Sequence, residues 1–205
     1  MSGTIKMSHE KGFTMIELLV AMVIAAIVLT SVYSVYYSQQ KSYIVQEEVA
    51  AMHQNLRAAM TIMEREIRMA GCNPTGTAAN VGMQSDITGT FIHFTEDVRG
   101  KDPGDPPDGD TGDSDEDISY YLVDADGDGD ADDLVRDTGG TEANIEKVIA
   151  ENIASLSFAY LDAGGNDTGV PEDIRFVQII VTATNKDKSK FETLQTRINA
   201  RNLGI

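Results

Sequence analysis

From Thr14 to Ala70 the chain contains neither glycine nor proline. A stretch this long without a breaker constrains the fold more than any other feature. It permits one continuous helix which, at 1.5 Å per residue, would be about 85 Å long. The run from Leu18 to Leu29 is nearly all apolar, with Glu17 the only charge between Phe13 and Tyr37. Residues 13–37 supply about 25 positions, roughly what a tilted helix needs to cross a hydrocarbon core of about 30 Å. We therefore expect a transmembrane segment over 13–37. Tyr33, Tyr36, Tyr37 and Tyr43 would form an aromatic belt at its outer end. Lys6 and Lys11 precede the span, so the positive-inside rule puts residues 1–12 in the cytoplasm and the remainder outside.

Two simpler readings of this segment fit less well. A secretory signal peptide would end in small residues, whereas Val32 to Tyr37 is bulky. A plain anchor gives no reason for a carboxylate in the apolar span, where insertion scales put the penalty at about 2.5–3.5 kcal/mol at the bilayer centre.

The helical pattern continues past the span. Val45, Val49, Met52, Leu56, Met60, Met63 and Ile67 recur at intervals of three or four and draw one apolar stripe. Gln46, Glu47, Gln54, Arg57, Glu64, Arg65 and Arg68 occupy the other face. Gly71 and Pro74 then supply a stop. Strand-like runs follow at 90–95, 118–123, 134–136, 154–161, 174–184 and 193–202, and a turn through Asn185, Lys186 and Asp187 joins the last two. Short connections favour antiparallel pairing, so the fold class expected is α+β. The domains are a leader (1–12), a long helix (13–70) and a sheet-bearing head (71–205).

A net charge of −17 argues against nucleic acid as a partner. The basic C-terminal residues Arg175, Lys186, Lys188, Lys190, Arg197 and Arg201 read as outward charges on a solvated hairpin. Cys72 is the only cysteine, so no intrachain disulfide can form; it is expected to be a small buried hydrophobe. With three scattered histidines (His9, His53, His93) and no nucleophile motif, the expectation is a protein without enzymatic activity.

Two acidic segments interrupt the head. Residues 101–117, beginning Lys101-Asp102-Pro103-Gly104-Asp105, are expected to form an exposed, flexible insertion. Residues Asp124 to Asp133 place Asp at positions one, three, five and nine of a loop with Gly129 at six, a spacing of hard oxygen ligands suited to Ca²⁺. Asp124, Asp126 and Asp128 would ligate through side chains, Asp130 through its carbonyl, and Asp132 directly or through water. Position twelve is Val135, where an EF-hand has a bidentate Glu, so the expected affinity is weak, about 10⁻⁴–10⁻³ M. The alternative is a tight acidic turn without an ion.

Lys11-Gly12-Phe13-Thr14-Met15-Ile16-Glu17 resembles the class III signal of type IV prepilins and pseudopilins. The resemblance implies cleavage between Gly12 and Phe13 by a prepilin peptidase, and methylation of the new Phe13 amine. It also implies an assembly role for Glu17, whose carboxylate would neutralise a neighbouring subunit's terminal amine and set axial register. The residues 36–43 and 63–71, with Ile118-Ser119-Tyr120-Tyr121-Leu122 and Ala150-Glu151-Asn152-Ile153, resemble PilW-type minor pilins. That implies a type IV pilin fold in which the helix packs on an antiparallel sheet. It also implies a role in initiating a type IV pilus within a tip complex. Its partners would be other minor pilins, the major pilin, the inner membrane and the pilus assembly platform. A J-type pseudopilin of type II secretion and a membrane-anchored calcium-binding adhesin are the alternatives.

Overall fold

The computed structural model describes residues 12–102, 104–113, 115–139 and 147–203. The expected leader lies outside them except for Gly12. The breaker-free stretch forms α1 (Met15–Met69), and the chain divides into two compact units between Glu47 and Glu48.

In the first unit every helical residue from Met15 to Ile44 is exposed, including Leu18, Leu19, Ile24, Ile27 and Leu29. By length and composition this part of α1 is apolar enough to cross a membrane. Thr30 and Ser31 turn their hydroxyls back to the carbonyls of Ala26 and Ile27 at 2.8 and 2.9 Å, so neither exposes an unbonded donor on the apolar surface.

In the second unit the predicted stripe turns inward: Met52, Leu56, Met60, Met63 and Ile67 are buried, with Ala59 between them. The helix ends as the sequence suggests. Gly71 adopts φ +81°, and a Cβ there would lie 2.8 Å from Leu203 Cδ2, so both the left-handed backbone and the close approach call for glycine.

Eight strands follow among the described residues, all antiparallel, in two sheets. The first holds β1 (Gly82–Met83), β2 (Ile92–Thr95), β3 (Asp117–Val123), β4 (Asp133–Thr138) and β5 (Lys147–Ala150) in sequential order. The second holds β6 (Ile153–Leu161), β7 (Phe176–Thr184) and β8 (Phe191–Asn199). The break falls at Asn152, whose φ of +59° turns the chain out of one sheet and into the next. Ile92, Phe94, Ile118, Tyr120 and Leu134 of the first sheet share one core with Leu156, Phe158, Ile179, Val181 and Ile198 of the second and with the buried face of α1. This is an α+β, pilin-like fold.

Several expectations need correction. The strands form two sheets, and β1 and β5 went unpredicted because neither has a long alternating pattern. β7 begins at Phe176 because Pro171–Asp173 forms a 3₁₀ turn just before it. The last strand spans Phe191–Asn199 and stops short of Asn202, whose side-chain amide instead donates to the Met69 carbonyl at 3.2 Å. Cys72 is half-buried, not enclosed. Burial and the charges of Glu96 and Asp97 raise its thiol pKa. The 101–117 segment is not uniformly exposed either: Pro107, Gly109 and Thr111 to Asp113 are half-buried, and Glu116 is buried outright.

Candidate functional site

Gly12, Phe13 and Thr14 precede α1 without regular structure and are exposed, and nothing lies within 4 Å of where a Gly12 Cβ would stand. Among the described residues nothing covers the Gly12–Phe13 peptide bond. Phe13 itself is 81% exposed. Thr14 and Glu17 close the helix start reciprocally. The Glu17 N–H donates to Thr14 Oγ1 at 3.3 Å, and the Thr14 N–H donates to Glu17 Oε2 at 3.4 Å. This is a capping box, with Thr at the cap and Glu three residues on. It is a local role for Glu17 that the sequence reading did not foresee, and it leaves the carboxylate free of any cation among the described residues.

The Asp124–Asp132 loop connects β3 to β4. Asp124, Asp126 and Asp128 can each bring one oxygen within 4.8 Å of the others, and all three are exposed. Their carboxylates already accept backbone N–H groups. Asp124 Oδ1 and Oδ2 take those of Gly127 and Gly129 at 2.8 and 3.0 Å, Asp126 Oδ1 takes that of Asp128 at 3.1 Å, and Asp128 Oδ1 that of Asp130 at 2.8 Å. The Asp130 carboxylate instead accepts from Lys188 Nζ in the β7–β8 turn, and its carbonyl accepts the Asp132 N–H at 3.0 Å. Burial and the charges of Asp128 and Asp133 raise the Asp132 pKa. Three of the five expected ligands are therefore together. The Asp130 carboxylate is turned to a lysine, while its carbonyl, the oxygen expected to ligate, accepts the Asp132 N–H.

The most elaborate polar site lies elsewhere. Glu66, on the buried side of α1, accepts from Arg136 Nε at 2.9 Å and from the Tyr120 hydroxyl. Arg136 NH1 continues to Asp115 Oδ1 at 2.9 Å. Tyr120 and Arg136 face each other directly across β3 and β4. Desolvation works against the Arg136 charge, but the bonds to Glu66 and Asp115 outweigh it and raise its pKa. Burial, then Glu66, pushes the Tyr120 hydroxyl pKa up as well. Glu96 lies near this network, and desolvation, followed by the charges of Glu66 and Glu116, lifts its pKa to about 7. A separate pair flanks His93, whose Nδ1 and Nε2 meet Asp86 at 2.9 Å and Asp117 at 2.6 Å. The Asp117 bond raises the imidazole pKa against the opposing effect of burial. None of these groups entered the sequence-based site. Glu66 stands three residues after Met63 and beside Ile67, on the apolar stripe itself, and that position was the available signal.

With this geometry in view, the chain matches the prokaryotic N-terminal methylation motif over residues 7–33. The match takes in Gly12, Phe13 and Glu17. No curated protein matches the chain. The motif, the exposed apolar helix and the antiparallel head support a type IV pilin-like protein bearing a class III prepilin signal. They also suggest membrane anchoring, and partners that belong to a pilus or a secretion system.

Proposed function

We propose that this chain is a minor pilin that helps initiate a type IV pilus and sits in its tip complex with other minor pilins. It is not an enzyme. The observation that carries the reading is the methylation motif over 7–33, placed at the open start of a helix that ends inside an α+β head. The PilW-like stretches in the helix and head favour the pilus over the secretion variant. Before assembly the chain would span the inner membrane once, with its head in the periplasm. Prepilin peptidase would hydrolyse the Gly12–Phe13 amide and methylate the freed amine of Phe13. Within the filament, Glu17 would face the Phe13 amine of a neighbouring subunit, where an opposite charge keeps the carboxylate ionised away from water.

Deleting the gene should abolish or sharply reduce surface pili, and restoring the intact chain should bring them back. Normal piliation combined with lost protein secretion would transfer the chain to the pseudopilins. The mature chain should lack residues 1–12 and carry one extra methyl by intact mass. We also propose that the Asp124–Asp132 loop takes Ca²⁺ weakly outside the cell, through Asp124, Asp126 and Asp128. Millimolar Ca²⁺ should then raise the melting temperature, and Asp126→Ala with Asp128→Ala should remove much of that rise.

A further inference from the structure

β8 is an edge strand: β7 pairs with it on one side, and among the described residues no strand pairs with it on the other. The pairing with β7 takes in all nine of its residues without a register shift. Just beyond its two ends, the Ala200 N–H donates to the Arg175 carbonyl and the Asn185 N–H to the Lys190 carbonyl, both at 3.1 Å. Bonded pairs alternate along an antiparallel ladder, so Glu192, Leu194, Thr196 and Ile198 direct their backbone groups at β7. Phe191, Thr193, Gln195, Arg197 and Asn199 turn theirs outward, where no described residue bonds them.

The opposite edge of the same sheet is partly occupied. β6 shifts register between Ile153 and Ser155, its Phe158 N–H donates to the Gly89 carbonyl at 2.7 Å, and its Tyr160 carbonyl accepts the Thr168 N–H at 2.9 Å. In the first sheet the outer strands β1 and β5 span only two and four residues. A long, regular, uncovered edge is a template for a strand of another chain, and proteins that do not use one blunt it with a bulge, a proline, a covering element or charge. β8 has no bulge and no proline. Charge is the one device present, and it also selects what can pair.

The chain has 33 acidic residues against 16 basic ones, yet residues 186–201 set Lys186, Lys188, Lys190, Arg197 and Arg201 against only Asp187 and Glu192. Among the described residues Lys186, Lys190, Arg197 and Arg201 form no ion pair. Arg197 instead lies over the Phe176 ring at 4.2 Å. Beside the edge a groove runs between Arg57, Met60 and Glu64 of α1 and Leu194 to Thr196 of β8, so the side chains on one face of an added strand have a place to lie. We propose that β8 takes up an extended acidic segment of a partner protein as a fourth strand of the second sheet. Main-chain bonds to the five outward residues supply the affinity, and the unpaired cations choose acidic side chains. A second copy of β8 would bring its own positive charge to this strip, which disfavours self-pairing.

The probe is a fluorescent peptide as long as β8, with Asp and Val in alternation and blocked ends, titrated into the full chain in a neutral detergent and followed by anisotropy. It should bind to saturation, and the same peptide with Lys in place of Asp should not. Methylating the amide nitrogens on its pairing edge should weaken binding at least about tenfold, a comparison that needs no change in the protein. Gln195→Pro removes an outward N–H at an edge position where proline is tolerated, and Arg197→Glu reverses the charge. Each should weaken binding at least about tenfold. Should Gln195→Pro disturb the far-UV spectrum, the methylated peptide and Arg197→Glu decide. Absence of saturable binding up to about 1 mM peptide overturns the proposal. Binding indifferent to the amide methyl groups or to Arg197→Glu overturns it equally. A dimer of the full chain that Gln195→Pro abolishes would assign the edge to a second copy and overturn it too. None of these outcomes bears on the pilin reading.

Discussion

Glu17 and Glu66 stand near opposite ends of one helix and meet opposite fates. Glu66 is buried and saturated, with Arg136 and Tyr120 reaching it from 70 and 54 residues away in sequence. Glu17 lies in the first turn of an exposed apolar stretch, and among the described residues its carboxylate hydrogen-bonds to Thr14 alone. The second half of α1 finds its partners within the chain. The first half presents Leu18, Leu19, Ile24, Ile27 and Leu29 to whatever surrounds it. A contiguous apolar surface of that extent marks a membrane or protein interface. The comparison separates a carboxylate that completes a fold from one that awaits a partner.

The largest effect on stability should come from removing the saturated one. Glu66→Ala would leave the buried Tyr120 hydroxyl and Arg136 Nε without their acceptor, the guanidinium keeping only its bond to Asp115. Breaking a buried pair from one side typically destabilises by about 3–5 kcal/mol. Denaturation of the full chain in detergent, followed by near-UV circular dichroism of the tyrosines, should show this loss. Adding Arg136→Ala to Glu66→Ala should then cost less than the two single changes summed. An additive result would mean that the two residues do not act as a pair.

Next comes the packing contrast along the helix. Leu56 is 1% exposed in the shared core, and Leu56→Ala should destabilise the head by about 2–5 kcal/mol. Val23→Ala, on the exposed stretch, should leave the head's melting unchanged. Equal losses at the two positions would break the division of α1 into a folded half and an interfacial half.

A smaller effect should appear with pH. The folded-state pKa of Glu96 is raised to about 7 from an ordinary 4.5, burial being the main cause. The folded state therefore holds a proton that the unfolded chain releases sooner. This contribution is fully present below about pH 4.5 and is lost as pH rises through about 7. His93, also raised, contributes in the same direction, with its share lost as pH rises through its folded-state value. The melting temperature should fall between about pH 5 and pH 8, and Glu96→Gln should flatten that slope. A slope unaltered by Glu96→Gln would assign the titration to His93 and its neighbours.

The sequence made one of the two glutamates legible and hid the other. Glu17 is conspicuous because its surroundings are apolar for many residues on its C-terminal side, and a local pattern suffices to find it. The apolar stripe from Met52 to Ile67 was readable on the same ground, since helical periodicity is local. Glu66 has no local signature beyond its place on that stripe, because its partners come from β3 and β4. The division into two sheets was equally hidden. It turns on the backbone of Asn152, where a single residue with positive φ redirects the chain. The excursion between Glu96 and Glu116 illustrates the same limit. Its proline- and aspartate-rich composition reads as solvated loop, while its feet are set by pairing between β2 and β3.

The smallest effect on stability, and the one that sharpens the comparison most, belongs to Glu17. Among the described residues its carboxylate bonds only within the capping box with Thr14, so Glu17→Gln should retain most of the cap, and Glu17→Val should merely fray the first turn. Neither should change the melting of the head. Both changes remove a charge from the apolar stretch and so ease insertion, and the chain should accumulate in the inner membrane as before. If Glu17 awaits the Phe13 amine of a neighbouring subunit, both variants should nevertheless fail to support normal piliation, and neither should be found in sheared filaments. If the carboxylate serves only as a helix cap, Glu17→Gln should assemble normally, because a Gln at that position completes the same box. Counting pili on cells whose only copy carries Glu17→Gln therefore decides between a local cap and an intermolecular charge pair.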